Sequence, residues 1–344
     1  MGNTTNKTLV TGATGMLGAR LVFDLINNGI AVRAIYRNKN RLEQFKTNIG
    51  LYTDKVEHYF SLVEWIEADI LNYSSLFSAL DNIDTVYHCA AMVSFYTPDN
   101  KLMYETNING TRNLINACLE NGVKWFCHVS SIAALGKKSN NNNLIDEETS
   151  WVQQKKHAGY GISKFHSEME VWRGINEGLD AVIVNPAVIL GPGDWKTGSP
   201  AFFDQIYKGL KFYTTSVNGF VDVRDVSEAM VQLSLPQNRA ETKNQRFVLC
   251  AGNYSYQNIF TLIASALKVK PPSIKSGKLM LSLAWRAAWL AAKISGKKPI
   301  ITRQTARSAA AINRYDGTKI TRAIDLKYRP IEESICDIAA MYLK

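Results

Sequence analysis

The chain has 344 residues, 46% hydrophobic and 20% charged, which is the balance of an ordinary globular protein and excludes a disordered or fibrous one. That length suits one large domain with a smaller lobe, and its core needs no disulfide or metal staple. The net charge of +10 favours solubility and attracts phosphorylated small molecules, but Lys and Arg are spread along the chain and no nucleic-acid-binding motif appears, so nucleic acid is not an expected partner.

The N-terminus, Met1 to Lys7, is polar and lacks an apolar signal core. Five cysteines, Cys89, Cys118, Cys127, Cys250 and Cys336, are scattered without C-x-x-C spacing. They read as reduced core residues, not as a disulfide framework or a metal centre. A cytoplasmic location and no metal are the expectation.

Thr8-Leu9-Val10 is a short apolar strand, followed by Thr11-Gly12-Ala13-Thr14-Gly15-Met16-Leu17-Gly18. Leu17, Leu21 and Leu25 then recur every fourth residue, one face of a helix. Strand, glycine turn and helix in that order make a phosphate cradle. Gly12 permits a sharp exit from the strand, Gly15 permits close approach of a pyrophosphate, and Gly18 permits close packing of helix on sheet. The unpaired N–H groups of the helix start, around Thr14 to Gly18, would then face the anion. The spacing is G-x-x-G-x-x-G, which with the flanking elements points to a dinucleotide.

Ile30 to Tyr36 is the next β-rich run, and Asn38 to Asn48 is basic and helical in character. An acidic residue at the end of this second strand would bind the ribose 2′-hydroxyl of NAD. Tyr36-Arg37 stands there instead, and no Asp or Glu lies between Ile30 and Leu42. An arginine fork suits a 2′-phosphate, so Arg37, helped by Lys39 or Arg41, favours NADP(H), with NAD as the alternative. Val63 to Ile66 reads as a third strand ending near Asp69. Ala68-Asp69-Ile70 would lie by the adenine amino group.

Thr85 to Ala91 carries no charge, as expected of a central parallel strand. Leu102 to Asn121 is a helix, with Leu114, Ile115, Cys118 and Leu119 inward. Val123 to Val129 is a strand, Ser163 to Glu177 a helix and Ala181 to Val184 a strand. The alternation implies an α/β fold, a doubly wound parallel sheet. Ser139 to Asn143 is a polar loop without evident chemistry. Pro186 to Phe220 holds Gly191-Pro192-Gly193, Gly198 and Pro200, so regular crossovers stop there. A helix, Val226 to Leu235, and a strand, Arg246 to Leu249, could return to the sheet. From Ala251 onward the chain is mostly helical. The expected division is residues 1–185 and 221–250 as the cofactor domain, and 186–220 and 251–344 as a smaller, mostly helical substrate lobe.

Leu279 to Ile294 is strongly apolar, with Arg286 inside it and Lys275, Lys278, Lys293, Lys297 and Lys298 around it. It is shorter than the ~18–20 uninterrupted apolar residues of a membrane span. The expectation is a buried helix roofing the substrate pocket, or a dimer contact. A basic amphipathic helix on a membrane surface is the alternative.

Tyr160-Gly161-Ile162-Ser163-Lys164 places a tyrosine and a lysine on one helix face. An ammonium near a phenol lowers its pKa, and such a tyrosine can exchange a proton with a carbonyl oxygen as hydride moves. Val129-Ser130-Ser131 follows a parallel strand, where open sheets present their sites, and a serine hydroxyl there can hold the substrate oxygen.

With these residues in place the chain resembles the extended short-chain dehydrogenase/reductase family, whose members carry the Rossmann fold. The resemblance runs in order through Thr11 to Gly18, Asp69, Val86 to Ala91, Thr106 to Thr111, Val129 to Gly136, Tyr160 to Lys164, Asn185-Pro186 and Phe220 to Val226. It implies Ser131, Tyr160, Lys164 and Asn107 as the catalytic group. It implies that Lys164 also binds the nicotinamide ribose, that Ala90-Ala91 and Pro186 lie along the cofactor, and that a homodimer is possible. Asn185 to Gly193 and the strand Val32 to Arg37 look like the dihydroflavonol-4-reductase-like branch, which reduces aldehydes and ketones with NADPH. A nucleotide-sugar epimerase holding NAD and a 3β-hydroxysteroid dehydrogenase-like enzyme are the alternatives, and a non-catalytic cofactor-binding sensor is a third. Ile132-Ala133 argues against a sugar 4,6-dehydratase, whose acid/base pair would fall there. Candidate substrate residues are Ser94, Phe95, Tyr96, His157, Leu190, Trp195 and Phe220. These favour an apolar or aromatic small-molecule carbonyl compound.

Overall fold

The computed structural model describes residues 7–137, 144–151, 159–295, 299, 302–309 and 311–344. The polar loop Ser139 to Asn143 and His157 lie outside them. The strands are β1 (Lys7–Thr11), β2 (Ala31–Tyr36), β3 (Val63–Glu67), β4 (Thr85–His88), β5 (Trp125–Val129), β6 (Ala181–Pro186), β7 (Val188–Leu190), β8 (Phe212–Tyr213), β9 (Val217–Asp222), β10 (Gln245–Leu249), β11 (Gly252–Ser255) and β12 (Ile274–Lys275).

Seven of them form one sheet in the order β10-β6-β5-β4-β1-β2-β3, every pair parallel. The chain runs outward from β1 to β3, then returns to β4 on the other side of β1. That reversal leaves a crevice at the carboxyl ends of β1 and β4, where open parallel sheets bind ligands. Side chains alternate across the sheet. Val10, Tyr87, Cys127 and Val184 face one core with Leu17, Leu21 and Leu25, which come from the helix Met16–Asn27. Leu9, Val86, Phe126 and Ile183 face the other, with Leu114, Ile115 and Cys118 of the helix Gly110–Glu120. Burial on both faces explains why these strands read as continuous apolar runs.

The smaller lobe is less purely helical than its sequence suggests. It contains a three-stranded sheet, β11-β9-β7, with β9 antiparallel to β11 and parallel to β7. β7 and β11 are too short to show an alternation, and β9 is interrupted by Asn218-Gly219. Leu190 and Phe220 of this sheet are buried with Phe203, Ile259, Ile263 and Ile335 in a third core.

The helix Lys278–Ser295 corrects the expectation of a buried roof. Leu279, Leu283, Trp289 and Leu290 are exposed. Among the described residues no helix is long and apolar enough to cross a membrane.

Candidate active site

The glycine loop closes at the sheet's point of reversal. Gly12 has φ +69°, and a Cβ on it would stand 2.6 Å from the Ala90 backbone nitrogen. A Cβ on Gly18 would stand 2.1 Å from the Gly12 carbonyl oxygen, so the helix start rests directly on the turn. The Gly15 N–H donates to the Gly12 carbonyl at 3.0 Å. The helix Met16–Asn27 has no side-chain cap and no acidic residue in its first turn, which leaves its leading N–H groups open to an anion. Glycine cradle and uncapped helix together fit a pyrophosphate.

Two contacts that the sequence does not announce hold this loop. The Thr11 hydroxyl bonds His88 Nδ1 at 2.7 Å and accepts the Ala90 N–H at 3.2 Å, tying β1 to β4 across the crevice. Buried Asn48 donates from Nδ2 to the Thr14 carbonyl at 3.1 Å. On the other side, Gly191 and Gly193 pass so close to Met16 that Cβ atoms there would lie 3.2 and 3.4 Å from its side chain. The irregular stretch after β7 therefore borders the start of the helix.

At the end of β2, Arg37, Lys39 and Arg41 are exposed, and among the described residues none is ion-paired. The Ala68 N–H donates to the Tyr36 carbonyl at 3.0 Å, which holds the segment leading from β3 into Asp69 against the end of β2. Asp69 accepts the Leu71 N–H at 2.9 Å, and a Cβ on Gly110 would meet Ile70 at 2.6 Å.

The second cluster gathers beyond β5. Ser131 is extended, its Oγ accepting the Ala133 N–H at 3.1 Å. The same hydroxyl faces the Tyr160 phenol closely enough to favour its ionised form. Burial raises the Tyr160 pKa above its ordinary 10, and the neighbouring Ser131 hydroxyl opposes that rise. Lys164, one turn further along the helix Gly159–Asn176, is buried and donates from Nζ to the Val129 carbonyl at 2.6 Å. Burial lowers its pKa to about 8, against the pull of nearby Glu168.

Asn107 lies in a π-helical turn, Glu105–Asn109, inside an otherwise α-helical stretch. Such turns are frequent at functional sites because they re-aim a side chain. Here Asn107 Oδ1 accepts the Met92 N–H at 2.7 Å and Nδ2 donates to the Met92 carbonyl at 2.9 Å and to Ser163 Oγ at 3.0 Å. Ser163 in turn donates to the Tyr160 carbonyl at 2.8 Å. The asparagine thus joins the segment after β4 to the helix bearing Tyr160 and Lys164.

Sequence reasoning passes over Glu168, which is fully buried one turn beyond Lys164. Its carboxylate accepts from Ser130 Oγ at 2.7 Å, Asn185 Nδ2 at 2.9 Å and Arg246 at 3.0 Å. The four-residue step from Tyr160 to Lys164 to Glu168, one helix face, is the signal that could have found it.

Of the aromatic substrate candidates, Phe95 stands against Tyr160, edge to face, with ring centroids 5.8 Å apart. The Ser94 hydroxyl donates to Asp99 at 2.6 Å, and Tyr96 is half-buried just beyond. Trp195 packs on Phe203 and Tyr342, and Leu190 and Phe220 lie inside the lobe's core. A cavity of about 640 Å³ is lined by Glu147, Trp151, Phe165, Trp172 and Arg246, but by none of Ser131, Tyr160 and Lys164.

A doubly wound sheet with a glycine cradle at its point of reversal defines a nucleotide-dependent enzyme. The chain belongs to the NAD dependent epimerase/dehydratase family, whose sequence model matches residues 8–250, and it is an NAD(P)-dependent oxidoreductase of the extended short-chain dehydrogenase/reductase type. It is 27% identical over 334 residues to a putative dihydroflavonol 4-reductase of Synechocystis sp., covering 95% of this chain and 92% of that one. It is 31% identical over 234 residues to cinnamoyl-CoA reductase 1 of Petunia hybrida, covering 65% and 67%. Among solved structures, gox2253 superposes with a TM-score of 0.78 at 26% identity over 98% of both chains. Gre2 of Candida albicans, solved with NADPH, superposes with a TM-score of 0.75 at 20% identity over 98% of both chains.

Proposed function

We propose that the protein reduces an aldehyde or ketone with NADPH, with Tyr160 as the proton donor. The observation that carries this is the convergence beyond β5 of the Ser131 hydroxyl, the Tyr160 phenol and, one helical turn on, the buried Lys164 ammonium held by the Val129 carbonyl. The relatives named as dihydroflavonol 4-reductase and cinnamoyl-CoA reductase support a carbonyl substrate. Gly12, Thr14, Gly15, Met16, Leu17 and Gly18 would hold the pyrophosphate, Arg37 the 2′-phosphate, Asp69 and Ile70 the adenine, and Ala90, Ala91 and Pro186 the remainder of the dinucleotide. Bound NADPH supplies hydride at the site.

Ser131 Oγ donates to the substrate oxygen and holds it beside the phenol. Tyr160 gives its proton to that oxygen as negative charge builds there. Lys164 keeps the phenol acidic enough to cycle and donates to the nicotinamide ribose, while Asn107 fixes the helix that carries both. Phe95 beside Tyr160 favours an apolar or aromatic substrate. Epimerase chemistry with tightly held NAD is disfavoured by basic Arg37 where a carboxylate would receive the 2′-hydroxyl.

The test is Tyr160→Phe at saturating NADPH against a panel of aromatic aldehydes and ketones. Positioned acid catalysis is typically worth ~10²–10⁴ in rate, and turnover should fall by about that much. NADPH binding should survive, because the cradle is untouched. Undiminished turnover would place the proton donor elsewhere.

A further inference from the structure

The positive charge of the protein belongs to one segment. Lys and Arg recur throughout, but between residues 250 and 315 there are eleven of them and no Asp or Glu. The rest of the chain has a net charge of −1, so this segment carries the whole excess. Among the described residues, its cations Lys268, Lys270, Lys275, Arg286, Arg303 and Arg314 form no ion pair with a carboxylate.

In the middle of that segment stands the helix Lys278–Ser295. Leu279, Leu283, Arg286, Ala287 and Leu290 fall on one face at helical spacing, and that is the exposed face. The three leucines are 76, 62 and 55% exposed. Trp289, on the flank, is also exposed. Just before the helix, β12 pairs with β8 so that Ile274 lies opposite Phe212, and both side chains are exposed too. Soluble proteins rarely show water a run of leucine and tryptophan of this kind, and such patches mark interaction sites.

We infer that this helix seats the protein on an anionic lipid bilayer, its leucine face entering the headgroup boundary and the surrounding lysines and arginines meeting lipid phosphates. An apolar face and an excess of cations over carboxylates are the two components of interfacial binding, and each addresses a different layer of the membrane. A second copy of the chain fits this face poorly, since pairing would oppose two segments that both lack carboxylates. Nucleic acid would satisfy the cations but leave the leucines in water. The helix lies on the surface and does not span it.

The test uses the full chain and needs no turnover, so it stands apart from the reductase reading. The protein is sedimented with mixed phosphatidylcholine–phosphatidylglycerol vesicles and with phosphatidylcholine vesicles alone. It should pellet with the mixed vesicles and be released at high salt, because screening removes the charge attraction. The exposed triple variant Leu279→Gln, Leu283→Gln, Leu290→Gln should bind at least about tenfold more weakly while still binding NADPH. Neutralising Lys275 and Arg286 to Gln should weaken binding about fivefold each, and this second pair of variants keeps all three leucines. Protein that stays in the supernatant with mixed vesicles overturns the inference. So does equal binding by native chain, leucine variant and charge variants, or a native dimer that the leucine variant dissolves without any vesicle binding.

Discussion

Lys164 and Glu168 sit one turn apart on one buried helix face, and each needs partners to be tolerated there. Lys164 has the Val129 carbonyl, and Glu168 has Ser130, Asn185 and Arg246. Arg246 comes from β10 at the sheet's edge, so the carboxylate is anchored from outside its own helix. Replacing Arg246 by Met would leave that carboxylate buried without its ion-pair partner. Breaking a buried pair from one side costs about 3–5 kcal/mol, and chemical denaturation of Arg246→Met should show a loss of that order. A loss below about 1 kcal/mol would mean water takes the place of the guanidinium. Arg37 is the opposite case, exposed and, among the described residues, without an ion-pair partner. Arg37→Asp should leave stability unchanged and invert the preference of the free protein from NADPH to NADH, read by titrating each cofactor. Equal affinity of the native chain for both would remove the role assigned to Arg37.

The element that organises the site is the turn between β1 and its helix, and it tolerates little bulk. A Cβ at Gly18 would press on the Gly12 carbonyl at 2.1 Å, and backbone cannot swing aside as a side chain can. Gly18→Ala should therefore part helix from strand, costing about 1–3 kcal/mol in stability and weakening NADPH binding. Calorimetry and a cofactor titration check the two effects, and a variant with native affinity would show that the loop relaxes freely. This element is legible in the amino-acid sequence, because glycine spacing and the four-residue recurrence of Leu17, Leu21 and Leu25 are properties of residue order alone. The parallel strands are legible for the same reason, since burial on both faces excludes charge from Thr85 to His88. The π turn that aims Asn107 is not. Its slip in hydrogen bonding leaves no mark on hydrophobic period, and the helix reads as continuous from Leu102. Nor is the β11-β9-β7 sheet, because β7 and β11 are short and the longer β9 carries Asn218-Gly219 in place of an apolar alternation. For the helix Lys278–Ser295 the pattern of apolar residues is plain, but which face meets water depends on packing partners that no local pattern names.

Across the whole molecule, the polar interior beneath the site ties stability to pH. His88 and His128 stand side by side on β4 and β5, ring centroids 5.3 Å apart, both buried. Burial, with Lys164 adding repulsion, holds the His88 pKa down to about 3 and that of His128 well below its ordinary value. In the unfolded chain both titrate near about 6.5. Above that pH neither state binds the extra protons, so the histidines impose no pH dependence. As pH falls below it, the unfolded chain takes up protons that the folded one refuses, and stability drops. The slope is at most about 1.4 kcal/mol per pH unit for each histidine. Salt-bridged carboxylates such as Glu64 and Asp222, whose pKa values their arginine partners hold low, lose their contribution only at more acidic pH. The fall just below neutrality therefore belongs mainly to the histidines. His128→Leu should be less stable at neutral pH, because its bond to Ser167 is lost, yet should show about half the native slope between pH ~6.5 and ~5. The comparison is of slopes, from denaturant midpoints at several pH values, so the neutral-pH loss does not confuse it. Parallel slopes for the two proteins would mean that His128 is charged in the fold, and the account of a neutral buried pair would fail.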